Sequence, residues 1–161
     1  MSLLAPEAAA ELGRSQTYRP YLVTDVDIAK YCHVMGIEDP VHLDPEVARR
    51  RGHRDVVAPI GYHMVIRHAL PNIVPIGELA ADGGSPDMTP PSSATRRMAG
   101  ETTVEFLDDL VAGDGVVVTK TLSGLREKEG RSGPLAFVTY DLEYAVAGTP
   151  KVRETYVRIL R

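Results

Sequence analysis

Apolar and polar positions change their period along the chain, and the changes divide it into elements. Between residues 24 and 36, Ile28, Tyr31, Cys32 and Met35 fall at helical spacing. Thr24 offers an N-cap, Asp25 and Asp27 suit the positive end of the helix, and Gly36 supplies the stop. A second, short helix is framed by Asp44 as N-cap, Pro45 at the first helical position and Gly52 as terminator. Residues 60–70 read as a third helix, apolar on most faces through Ile60, Met64, Val65, Ile66, Ala69 and Leu70, with Pro71 after it. A helix apolar all round is expected to be buried.

In the last third of the chain the period drops to two. Strands are expected at 100–107, 116–128, 135–146 and 151–160, joined by turns at Val111-Ala-Gly-Asp114, 129–133 and 148–150. One earlier strand is expected at 16–23, where Pro20 favours an edge or a bulge. Strands of a dozen residues suit a sheet that curls around something, and the 60–70 helix is the obvious candidate. The fold class is therefore α+β. A leader at 1–15, loose or a short helix, precedes a single domain at 16–161. Residues 77–97 are rich in Gly, Pro, Ser, Asp and Thr and show no periodicity. A loop of that length overhangs a pocket, meets a partner subunit or is disordered.

Composition narrows the function. A net charge of -4 argues against a nucleic-acid partner, which needs a basic face. Arg49, Arg50, Arg51 and Arg54 form a local basic cluster, read as a solvated helix end or as a phosphate-binding group. The single cysteine, Cys32, fits a reducing cytoplasm, and no segment reads as a signal peptide or membrane span. A cytoplasmic location is the expectation. The five histidines show no His-Glu-x-x-His pattern, so no metal site is expected, and neither a phosphate-binding Gly-rich loop nor a Gly-x-Ser-x-Gly elbow is present.

Several segments, in order, resemble the MaoC-like (R)-specific enoyl-thioester hydratases and dehydratases. Gly36-Ile-Glu-Asp-Pro-Val-His-Leu-Asp44, followed by Ala48, resembles the hydratase motif Gly-Asp-x-Asn-Pro-x-His. Val56-Val-Ala-Pro59 resembles the entry into the family's central helix, in the form of its N-terminal-type, substrate-binding branch. Val111-Ala-Gly-Asp114 resembles its Gly-Asp turn, and Arg126-Glu-Lys-Glu-Gly130 its hairpin tip. The resemblance implies a single hot-dog fold, a long central helix wrapped by a curved antiparallel sheet. It also implies a homodimer, or a heterodimer with a second hot-dog subunit, acting on an acyl group carried by coenzyme A or the phosphopantetheine of an acyl carrier protein. No other cofactor, nucleic acid or membrane is implied.

Adding or removing water across a double bond beside a thioester needs proton transfer at two positions and a site for the carbonyl oxygen. By resemblance His42 is the catalytic histidine, and the amide of Ile60 or Gly61 receives the carbonyl. Tyr62 and His63 follow as pocket residues. The motif's catalytic Asp falls on Ile37, which transfers no proton. Either Asp39 or Glu38 takes over that task, or the subunit binds an acyl thioester for a catalytic partner, or it runs a double-bond isomerisation. Asp39 has a second reading as the cap of the turn at Pro40. A thioesterase ranks last, because residues 60–70 contain no Asp or Glu.

Overall fold

A computed structural model of the chain describes residues 2–70, 75–79, 83, 88–131 and 133–161. The helix caps act as their chemistry requires. The Thr24 hydroxyl accepts from the Asp27 amide at 3.0 Å, and α1 (Asp25–Met35) ends at Gly36 in the left-handed region, φ 66°. The Asp44 carboxylate accepts from the amides of Glu46 and Val47, opening α2 (Pro45–Arg50). The strand expected at 16–23 is two pieces, β1 (Ser15–Thr17) and β2 (Tyr21–Leu22), both paired antiparallel with the long strand Gly115–Gly130. Ahead of them, Pro6–Glu11 is a 3-10 helix with Ala8 buried.

The long strands are β3 (Arg97–Phe106), β4 (Gly115–Gly130), β5 (Gly133–Val146) and β6 (Thr149–Leu160). They form one antiparallel sheet in the order β1-β4-β5-β6-β3. Its inward rows are Val116, Val118 and Leu122 on β4, then Ala136, Val138, Tyr140, Leu142 and Tyr144 on β5, then Val152 and Leu160 on β6. These join Ile28 and Cys32 of α1 with Ile66 of α3 (His63–Ala69) and the flanking Tyr62 and Leu70 in one core. Each Val, Leu or Ile side chain among them, fully buried, stabilises the fold by about 1.5–3 kcal/mol. A helix against a curved antiparallel sheet is the hot-dog arrangement that the sequence pattern implies.

Two expectations need correction. The regular part of the central helix is seven residues, not eleven, because Gly61 sits at φ 94° and cannot continue α-helical geometry. The chain enters α3 through tighter turns, with Tyr62 donating to Pro59 and Val65 to Tyr62. Ile60, expected to be buried, is 79% exposed. Two charged residues, Lys120 and Glu154, lie on the sheet's inward rows and are buried. Most of the aperiodic 77–97 stretch up to Asp87 lies outside the described residues. Within it, Met88 is buried and its carbonyl accepts from the Tyr140 hydroxyl at 3.0 Å.

Candidate active site

The 3-10 turn Pro40–His42 is packed onto a short extended segment through a satellite core of Val41, Ala48 and Val57. The Val57 amide donates to the Val41 carbonyl, and on its other side the segment is bridged to the Leu110–Ala112 stretch. His42 is half-buried, with Nδ1 2.7 Å from the Val57 carbonyl oxygen. A carbonyl can only accept, so Nδ1 carries a proton, and in the neutral ring the lone pair is on Nε2. Three residues after Val57 comes Ile60, a chain span of at most roughly 10 Å. One segment therefore holds the histidine and leads directly into the turn before α3.

The predicted site residues separate into two groups. Around His42, the Asp39 carboxylate caps the turn by accepting from the Val41 amide at 3.0 Å and pairs with Arg51. The Val41 hydrogen bond, then Arg51 and, to a smaller extent, His42 hold this carboxyl below its ordinary value against weak desolvation. It is an ionised capping group. Glu38 is exposed. Ile37 is half-buried and packs against the main core, with its amide donating to Cys32. The position that would hold the motif's acid is thus a packing position.

Ile60, Tyr62 and His63 line a cavity of about 270 Å³ together with Phe106, Leu107, Val152, Asp108 and Asp109. Gly61 lies between them because an added Cβ would stand 2.6 Å from the Tyr31 hydroxyl oxygen. Among the described residues, the Ile60 and Gly61 amides donate to no group. Tyr62 is buried, its hydroxyl 3.3 Å from that of Tyr21, and burial raises its pKa well above the usual phenol value. His63 is 5% exposed, and burial lowers its pKa.

Sequence reasoning missed what stands behind His63. The Tyr144 ring packs edge-on to it, the Tyr144 hydroxyl donates to Glu154 at 2.7 Å, and Glu154 pairs with Arg67. The signal was the charge of Glu154 in the alternating row Val152, Glu154, Tyr156, Arg158, Leu160. The basic cluster is largely internal pairing: Arg51 with Asp39, Arg54 with Asp114 and, at 3.9 Å, Arg49 with Asp55.

The fold and the placement of the motif histidine define a hot-dog protein of the dehydratase type. Residues 10–154 match the family described as FAS1-like, dehydratase domain region, and the chain belongs to that family. It is 35% identical over 104 residues to a UPF0336 protein of Clavibacter michiganensis subsp. michiganensis, a match spanning 65% of this chain and 63% of that protein. The chain thus covers less than two thirds of that relative's length. The ChsH1-ChsH2 complex of Mycobacterium tuberculosis contains a similar fold, with TM-score 0.71 and 18% identity over 95% of this chain and 93% of that one. The MaoC-like dehydratase of Rhodospirillum rubrum superposes with TM-score 0.63 and 19% identity, over 92% and 91%. The MaoC-like resemblance read from the motifs is borne out. No helix among the described residues is long and apolar enough to cross a membrane.

Proposed function

We propose that this chain hydrates enoyl thioesters or dehydrates 3-hydroxyacyl thioesters, with the acyl group carried on coenzyme A or acyl carrier protein and no other cofactor. The observation that carries this reading is the His42 Nδ1 contact with Val57, which fixes the tautomer and leaves Nε2 as a base. In dehydration, Nε2 takes the α-proton and the C–H electrons move into the thioester as an enolate. Those electrons then form the double bond as the 3-hydroxyl leaves with the same proton, as water. Asp39, ionised in the same turn, stabilises the imidazolium in between. Glu38 is close in sequence but exposed, and is the weaker candidate for that task. The Ile60 or Gly61 amide meets the carbonyl oxygen. The chain works in the cytoplasm as a dimer.

A second reading has support of its own. Ile37 faces the core and Asp39 is occupied by Arg51, which suits a subunit that binds the thioester for a catalytic partner. The fold neighbour ChsH1-ChsH2 is a two-protein complex.

The test is to purify the chain alone and follow enoyl-thioester absorbance with short and medium acyl chains. Turnover by wild type that falls by about 10²–10⁴ in His42→Ala supports the first reading. Binding without turnover, with turnover appearing on addition of a second hot-dog protein, supports the other.

A further inference from the structure

A second cavity, of about 170 Å³, lies one helical turn beyond His63. It is lined by Arg67 and Leu70 at the end of α3 and by Lys120, Leu142, Tyr156 and Arg158 on β4, β5 and β6. Three of these side chains are cationic, and none of the described residues lining the cavity is acidic. Glu154, two residues before Tyr156 on β6, pairs with Arg67 and offsets that charge. Lys120 is 4% exposed and Arg158 is half-buried.

Arg158 differs from the other cations described so far. Arg51, Arg54, Arg67 and Lys151 each hold a carboxylate. Among the described residues, Arg158 holds none. Its two terminal nitrogens donate to neutral oxygens, the Thr89 hydroxyl at 3.1 Å and the Tyr156 hydroxyl at 3.4 Å. Its Nε–H donates to neither and is open to solvent. Half-burying a charge is costly where no opposite charge meets it. Aromatic rings offset only a small part. Lys120 Nζ and the Arg158 guanidinium stand 4.4 and 5.4 Å from the centroid of the same ring, Tyr140, and two like charges at one ring repel each other. An anion in the cavity beside them relieves both costs.

The donor and the space select the kind of anion. A guanidinium presents a planar fork of N–H groups that matches a carboxylate, and two of its five donors are spent. At about 30 Å³ for each water-sized group, the cavity has room for roughly five or six heavy atoms. A short carboxylic acid fits, and a nucleotide or whole coenzyme does not. Leu70 and Leu142 supply apolar surface for its carbon chain.

We propose that this cavity is a binding site for a short-chain carboxylate, held by the Arg158 guanidinium with Lys120 adding charge. The carboxylate belongs to a free acid or to the far end of an acyl group, and the chemistry at Arg158 is the same. Binding here is independent of the hydro-lyase reading, since neither His42 nor its turn takes part.

The test titrates the full chain by calorimetry with butyrate, with butyramide as its neutral counterpart, and with glutaryl-pantetheine. Wild type is compared with Arg158→Met and Arg158→Lys. Losing a hydrogen bond to a charged group should weaken carboxylate binding about 10–100-fold in Arg158→Met, and Arg158→Lys should keep part of it. Arg158-dependent binding of butyrate assigns a free acid, and of glutaryl-pantetheine alone the end of an acyl group. Either result upholds the proposal. Butyramide binding as tightly as butyrate, or no Arg158-dependent binding of either carboxylate, overturns it. Carboxylate binding seen only in Asp82→Asn or Asp87→Asn also overturns it, because the chain's own acid would then be the occupant. Should Arg158→Met not fold, the ¹⁵Nε resonance of Arg158 in wild type decides. A shift with either carboxylate and not with butyramide supports the site, and no shift overturns it. Absence of enoyl-thioester turnover, followed separately by absorbance, removes the hydro-lyase reading and leaves this site standing.

Discussion

Arg51 donates from one guanidinium nitrogen to both carboxylate oxygens of Asp39, at 2.9 and 3.1 Å. The pair ties the end of α2 to the turn that carries His42, and it keeps Asp39 ionised and capped. Asp39→Asn is therefore expected to lower kcat less than about tenfold, against the 10²–10⁴ typical of a proton-transfer residue. Steady-state kinetics beside His42→Ala separates the two. A loss in Asp39→Asn as large as that in His42→Ala would make Asp39 a direct proton carrier.

Glu154 is fully buried between Arg67 and the Tyr144 hydroxyl. Removing one partner of a buried pair leaves an uncompensated charge, so Arg67→Met should cost about 3–5 kcal/mol. The double variant Arg67→Met/Glu154→Gln should recover much of that. Urea denaturation of the two single variants and the double one gives the coupling. Additive losses would show that the two charges are satisfied independently.

Gly61 holds φ 94°, and a Cβ there meets the Tyr31 hydroxyl oxygen at 2.6 Å. Gly61→Ala should destabilise the protein by about 1–3 kcal/mol. Adding Tyr31→Phe removes the clash but not the backbone strain, so recovery should be partial. Full recovery in the double variant would locate the whole cost in the side-chain contact.

His63 should give the fold an acid-side pH dependence. Its folded pKa lies below the ordinary 6.5, so the unfolded chain binds the proton first as pH falls. The stability it contributes is complete above that value and is lost as pH drops toward the folded pKa. The urea midpoint should fall from about pH 7.5 to about pH 5.5 in wild type and stay flatter in His63→Phe. The carboxyls held low at Asp27, Asp39, Asp108 and Glu127 act in more acidic solution, outside this window. Equal slopes in the two proteins would show that His63 remains accessible to protons.

Local chemistry made the helix ends legible. Thr24, Gly36, Asp44, Pro45 and Gly52 each act through neighbours within a few residues, and each does in the structure what its side chain dictates. The long strands were equally readable from their alternation. The length of α3 was not, because periodicity treats Gly61 as one more helical position, while its left-handed backbone breaks the helix there. The His42 motif was visible, but its anchor is a backbone carbonyl at Val57, and backbone groups leave no mark in a sequence. The separation of the site residues into a His42 turn and a His63 cavity depends on contacts between distant segments, which no local pattern contains. The buried charges of Lys120 and Glu154 were present in the alternation as interruptions, and only the pairing of β4, β5 and β6 gives them a shared interior.

Ile37 has a consequence for descent. A carboxylate restored at that position would have to leave the core contacts that isoleucine now makes, so one substitution would trade packing for a poorly hydrated charge. A paired Asp and His is reached from this chain only through a less stable intermediate unless neighbouring core residues change first. Sequences on this branch are therefore expected to diversify around a solitary histidine, keeping an apolar residue at position 37 even where the rest of the loop drifts.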